Sequence, residues 1–171
     1  TITVTTRAAQ GAPDRLVYHP RTLAVGVGCE RGVDPAELIG LVRDTLAAHG
    51  LEPRAIAGVF SLDLKSDEPA VHALADNLGV PARFFTPARL DAESPRLANP
   101  SEIVRRETGC PGVAEGAALA AAGPQGRLLV EKTRSARATC AIAESPAPLL
   151  DLPGHPRGRL SVVGIGPGSR D

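Results

Sequence analysis

Residues 23–50, LAVGVGCERGVDPAELIGLVRDTLAAHG, decide the fold. Leu23 to Val27 is a continuous apolar run, the pattern of a strand buried on both faces. Gly28-Cys29-Glu30-Arg31-Gly32 is a turn. Asp34-Pro35-Ala36-Glu37 then opens a helix, with Asp34 as N-cap, Pro35 in the first position and Glu37 placed for a capping box. Leu38, Ile39, Val42 and Leu46 put apolar groups on one face, and Gly50 stops the helix. A strand that feeds a capped helix predicts a layered α/β fold.

The unit repeats downstream. Ala55 to Leu62 predicts a second strand, DLKSDE (63–68) a loop, Glu68-Pro69 to Leu78 a helix stopped by Gly79, and Ala82 to Phe85 a third strand. Pro87 to Leu90 reads as a helical turn. This alternation implies a partly parallel sheet. NPSEIVRRETG (99–109) then carries a helix between Ser101 as N-cap and Gly109 as C-cap. GVAEGAALAAAG (112–123) is a helix of small residues, suited to close packing. Leu128 to Lys132 and Ala138 to Ala143 read as a hairpin, so the sheet is expected to be mixed. Residues 1–22 read as a leading strand, TITVTT, and a linker. Residues 145–158 read as a Pro/Gly-rich linker, and 159–171 as a strand running into the glycine loop GIGPG. The sequence has no methionine, and the whole reads as a piece of a longer polypeptide.

Composition narrows the function. Nineteen basic and nineteen acidic residues balance, which argues against a general binder of nucleic acid or membrane surfaces. Aromatic residues are 2%, too few for base stacking. No apolar run is long enough to span a bilayer. Cys29, Cys110 and Cys140 form no disulfide framework or zinc motif, which fits a reducing cytoplasm. The four histidines show no metal spacing, and no Lys-Ser or Lys-Thr pair completes a P-loop. Lys65 and Lys132 are the two lysines against seventeen arginines. Either a compact, titratable ammonium is wanted at those places or arginine-rich coding left two by chance.

In an open α/β sheet, ligands gather at the carboxyl ends of the strands. Two loops leave such ends here: Gly28–Gly32, and SLDLKSDEP (61–69), which crowds Asp63, Lys65, Asp67 and Glu68 together. Dense opposite charge there suits acid, base and anion-binding roles. Its alternative is a solvated helix start, where Asp67 and Glu68 favour the dipole. Glu115 is a lone carboxylate in a helix of alanine and glycine, either exposed or held for a purpose. Cys29 sits at a strand-to-helix turn with no histidine placed to activate it, so it reads as a small apolar group and not as a nucleophile.

Taken in order, LAVGVGCERGV (23–33), FSLDLKSDEPAVHALADNLGVPARFF (60–85), NPSEIVRRETGCPGVAEGAAL (99–119) and LLVEKTRSARATCAIAE (128–144) resemble the C-terminal domain of the cobalamin-biosynthesis protein CbiG and its free-standing relative CobE. Residues 1–22 resemble the end of the upstream CbiG region, and GRLSVVGIGPGS (158–169) the start of a precorrin methyltransferase. The resemblance implies a three-layer α/β/α domain over 23–144 with a mixed, partly parallel sheet. It implies a corrin-pathway tetrapyrrole as ligand, with the upstream and downstream regions as partners in one chain. Cobalt would arrive inside the substrate, with no metal held by protein side chains. S-adenosylmethionine would belong only to the downstream domain.

Two activities follow from that resemblance. One is a component of a cobalt-precorrin-5A hydrolase, which opens a δ-lactone and releases acetaldehyde. The other is a CobE-like domain that binds or hands over an intermediate. Lactone opening needs a base for water and a cation for the oxyanion. The candidate catalytic residues are Asp63, Lys65, Glu68 and Glu115. The candidate substrate-binding residues are Gly28, Cys29, Arg31, Ser61, Ser101, Lys132 and Thr133, with helix amides near Pro35 and Ser101 aiding the hold on carboxylates.

Overall fold

The computed structural model describes residues 1–158. The strand and glycine loop expected over 159–171 lie outside the described residues. Strands β1 (Ile2–Val4) and β2 (Leu16–Tyr18) lead, followed by β3 (Leu23–Cys29), α1 (Pro35–Ala48), β4 (Ile56–Leu62), α2 (Pro69–Leu78), β5 (Ala82–Phe85), α3 (Pro87–Asp91), α4 (Glu102–Thr108), α5 (Val113–Ala122), β6 (Arg127–Arg134) and β7 (Ala138–Glu144). The main sheet has the order β5-β4-β3-β7-β6. β5, β4 and β3 are parallel, and β7 runs antiparallel to both β3 and β6. The expected mixed, partly parallel sheet is what forms.

Its two faces are packed differently. On one, Val25, Val27, Ile142 and Val59 meet Leu38, Val42 and Leu46 of α1 and Val71 and Leu74 of α2 in a core of branched side chains. On the other lies α5, whose buried residues are mostly alanine, with Glu115, Gly116 and Leu119. A Cβ at Gly26 would stand 2.0 Å from the Ala114 carbonyl oxygen and 2.6 Å from the Ala118 nitrogen. Glycine in β3 and alanine in α5 therefore let backbone lie nearly on backbone. That contact sets the amino terminus of α5 at the carboxyl ends of β3 and β4.

Local signals hold with two exceptions. Asp34 caps α1 by accepting from Ala36 N at 2.9 Å, and Gly50 sits past its end at φ +61°. Ser101 caps α4 by accepting from Val104 N at 3.3 Å. The capping box at Glu37 gives way to a longer reach. Its carboxylate takes the Ser135 hydroxyl at 2.5 Å and the Arg137 amide at 2.8 Å, pinning the tip of the β6–β7 hairpin to the start of α1. The stretch read as a Pro/Gly-rich linker, 145–158, packs back on the domain. Leu149 and Leu152 touch the core on the α5 side, and His155 exchanges two backbone hydrogen bonds with Phe84, covering the free edge of β5.

The leader holds one strand more than expected. β2 is three residues long, too short for periodicity to show. It pairs parallel with β1, placing Ile2 beside Leu16 and Val4 beside Tyr18, and all four are exposed. Among the described residues, no helix is long and apolar enough to cross a membrane.

Candidate functional site

A cleft of about 430 Å³ opens at the carboxyl ends of β3, β4 and β6. Gly28, Cys29 and Leu62 form its floor, and Gly112, Val113 and Ala114 of α5 one wall. The hairpin tip from Arg134 to Ala138 forms another wall, and Val104, Glu107 and Thr108 of α4 face it. Both lysines of the chain line this cleft: Lys65 from the turn after β4 and Lys132 from β6. Sixty-odd residues of sequence separate them, and only the sheet brings them together. Arg134 and Arg137 add positive charge, Glu30 and Glu107 negative. Arg137 is engaged with Glu30 at 2.9 Å, which leaves Lys65 and Arg134 without an ion-pair partner among the described residues.

The α5 terminus supplies further donors. Gly112 provides no side-chain cap, so the first amides of this ten-residue helix have no intrahelical or capping acceptor among the described residues. The helix ends expected to serve, at Pro35 and Ser101, are instead closed by the Asp34 and Ser101 side chains. Leu62, Val104, Val113, Ala114 and Ala138 give the lining an apolar stretch beside these charges. A ligand with an apolar body and anionic arms suits such a wall.

Of the residues singled out in sequence, Gly28, Cys29, Lys65 and Lys132 line the cleft; the others lie elsewhere. Ser61 is fully buried and donates to the Val27 carbonyl at 2.8 Å, so it stitches β4 to β3. Arg31 turns outward to Asp67 at 2.6 Å, a pair that raises the guanidinium's pKa and lowers the carboxyl's. Asp63 lies in a 3-10 turn outside the lining. Glu68 is 2% exposed beneath the Cys29–Gly32 turn, with Oε2 3.4 Å from the Gly32 amide and Oε1 without a partner among the described residues. Glu115, also 2% exposed, spends both oxygens on the loop before α4, at Ala98 N (2.7 Å) and Asn99 Nδ2 (2.9 Å). Ser101 is occupied as a cap, and Thr133 Oγ1 donates to the Glu131 carbonyl at 3.3 Å.

Burial pushes the Cys29 thiol up, and the nearby Lys65 charge only partly opposes that. A thiol held protonated is a poor nucleophile. The carboxylate that sequence reasoning missed is Glu107. Its signal was the spacing Val104, Glu107, Thr108, which shares one helical face. That face turns to the cleft.

This is an α/β domain with a cationic, partly apolar cleft at its strand ends. The family described as Cobalamin synthesis G C-terminus matches residues 23–143, and the chain belongs to it. Protein CobE of Sinorhizobium sp is 50% identical over 127 residues, 74% of this chain and 82% of that protein. Cobalt-precorrin-5A hydrolase of Priestia megaterium is 31% identical over 131 residues, 77% of this chain but 34% of the hydrolase. The chain thus spans about a third of that relative. Among solved structures, CobE of the cobalamin biosynthetic pathway aligns with TM-score 0.68 at 41% identity, over 72% of this chain and 89% of that one. The cobalamin biosynthesis protein chiG from Agrobacterium tumefaciens aligns with TM-score 0.56 at 28% identity, over 72% and 98%. The chain is a cobalamin-biosynthesis protein.

Proposed function

We propose that the strand-end cleft holds a tetrapyrrole intermediate of the corrin pathway by its peripheral carboxylates. The observation that carries this reading is the convergence of the two lysines, with Arg134 and the uncapped α5 amides, in one cleft. Acetate and propionate arms would meet these donors in charge-assisted hydrogen bonds. The apolar macrocycle edge would lie against Val104, Val113 and Leu62. At about 430 Å³ the cleft falls in the lower part of the range of roughly 300–1,000 Å³ for small-molecule pockets, so it grips one edge of so large a ligand. Cobalt, where present, belongs to that substrate.

A second reading adds chemistry: the domain acts as a component of a cobalt-precorrin-5A hydrolase, opening the δ-lactone and releasing acetaldehyde. The similarity to proteins of that name favours it. Asp63 and Glu68 do not line the cleft, so the water-activating carboxylate in this reading is Glu107, with Lys65 facing the developing oxyanion. The exposed apolar face of Ile2, Val4, Leu16 and Tyr18 supports docking of a further layer of protein, since parallel strands are ordinarily covered on both faces.

The test is a spectroscopic titration of the chain with cobalt-precorrin-5A while released acetaldehyde is assayed. Binding without acetaldehyde supports a substrate-holding domain. Binding with acetaldehyde puts the chemistry in the cleft, and Glu107→Gln should then abolish release while retaining binding. Absence of any spectral change refutes the cleft reading for this chain.

A further inference from the structure

Glu115 is a buried carboxylate that does not line the cleft, and its role is legible in what it holds. Burying a charged carboxylate is costly unless its oxygens are satisfied. Here they are, by donors from a single loop: Ala98 N at 2.7 Å and Asn99 Nδ2 at 2.9 Å. That loop carries the contact onward. The backbone oxygen of Asn99 accepts from Lys132 Nζ at 3.4 Å, and Asn99 Nδ2 also lies 3.3 Å from Glu131 Oε2.

Lys132 needs such a hold. β6 is an edge strand. Its pairing with β7 matches Val130 to Ile142 and Thr133 to Cys140, so Glu131 and Lys132 together oppose Ala141 alone. Two residues facing one is a β-bulge, which re-aims a side chain and interrupts the ladder that would fix its direction. Lys132 therefore stands where the sheet gives it least support, and the support comes across the gap from Asn99.

We propose that Glu115 is a positioning residue for Lys132. The carboxylate fixes the Ala98–Asn99 backbone, the Asn99 carbonyl receives the ammonium, and the bulge presents that ammonium to the cleft. Glu115 touches no ligand in this scheme. Only the functional consequence, a pre-set anion contact, rests on the cleft reading above.

The chain's composition makes the test clean. Reductive methylation with ¹³C-formaldehyde gives one dimethyl-lysine signal for each of the two lysines, and Lys65→Arg and Lys132→Arg assign them. In Glu115→Gln, one donor of the loop meets an amide NH₂ in place of an oxygen. In Asn99→Ala the side-chain tie is lost with little change to the core. Both variants are expected to move the Lys132 signal and to leave the Lys65 signal in place. Both should also weaken binding of uroporphyrin, a porphyrin octacarboxylate, on the order of fivefold, the worth of about one net hydrogen bond. An unmoved Lys132 signal in both variants overturns the proposal, and so does an equal movement of both lysine signals, which reports general loosening. If Glu115→Gln fails to fold, Asn99→Ala decides alone. A wild-type chain that does not bind uroporphyrin sinks the cleft reading, while the methyl signals still decide the strut.

Discussion

The two faces of the sheet solve the same problem with opposite means. Under α1 and α2, Leu38, Val42, Leu46, Val71 and Leu74 fill a thick layer of branched side chains. Under α5 the layer thins to nothing where Gly26 meets the backbone of Ala114 and Ala118, and a smaller core of Phe60, Leu62, Phe85 and Leu90 lies beside that crossing. The thick face supplies the larger share of buried apolar volume. The thin face brings a helix terminus within reach of the strand ends, so stability is concentrated on one side and the site on the other.

The sharpest way to break this comparison is to add one methyl group to each face. Gly26→Ala places Cβ where backbone atoms already stand, so α5 must lift. The expected loss is about 3 kcal/mol or more, at or above the usual range for overpacking, with the cleft wall displaced. Urea unfolding measures the first and the tetrapyrrole titration the second. A neutral Gly26→Ala would show that the thin layer has slack.

The site itself comes next. Lys65→Ala and Lys132→Ala should each weaken tetrapyrrole binding by about tenfold, or ~1.4 kcal/mol, near the low end for a hydrogen bond to a charged group. Binding should also weaken with salt, as screening requires. Titrations at two ionic strengths check both effects. Affinity insensitive to either lysine would remove the strand-end cleft as the site.

On the thick face the same methyl addition should help. Gly40 lies inside α1, where an added Cβ meets nothing within 4 Å. Gly40→Ala should stabilise by about 0.5–1 kcal/mol through helix propensity alone, again read by urea unfolding. Opposite signs for one chemical change at Gly26 and Gly40 would confirm how the faces divide their work.

The smallest effect is acid sensitivity at the hairpin tip. The Ser135 hydroxyl and the Arg137 amide hold the Glu37 carboxyl below its ordinary 4.5. A depressed folded pKa stabilises fully above that ordinary value and is lost as pH falls through the folded one. The protection of the Arg137 amide, taken against its intrinsic exchange rate, should therefore fall as pH drops below that ordinary value, and Glu37→Gln should flatten that dependence. Hydrogen exchange followed by NMR resolves it.

Most of the fold was legible because its signals are local. Asp34, Ser101, Gly50, Gly79 and Gly109 punctuate helices where sequence places them. The apolar runs at Leu23 and Ile56 are strands because both faces are covered. β2 and the packed course of 145–158 were not legible, since three residues carry no period and a proline-rich stretch packs through scattered leucines. In the site, the lysines could be singled out by rarity, but Asp63, Ser61 and Thr133 could not be rejected. Whether a side chain at a strand end turns into a cleft depends on sheet twist, bulges and neighbouring loops.

By itself, then, the sequence determined most of the elements, most of their caps, a small-residue helix suited to close packing, and the presence of two unusual lysines. Those are properties of residues and their near neighbours along the chain. Tertiary structure alone decided that the lysines share a cleft, that Glu107 joins them, and that Glu68 and Glu115 are drawn inside. Each of those depends on contacts between segments far apart in sequence, and hydrogen-bond satisfaction across such contacts is settled only when the layers close.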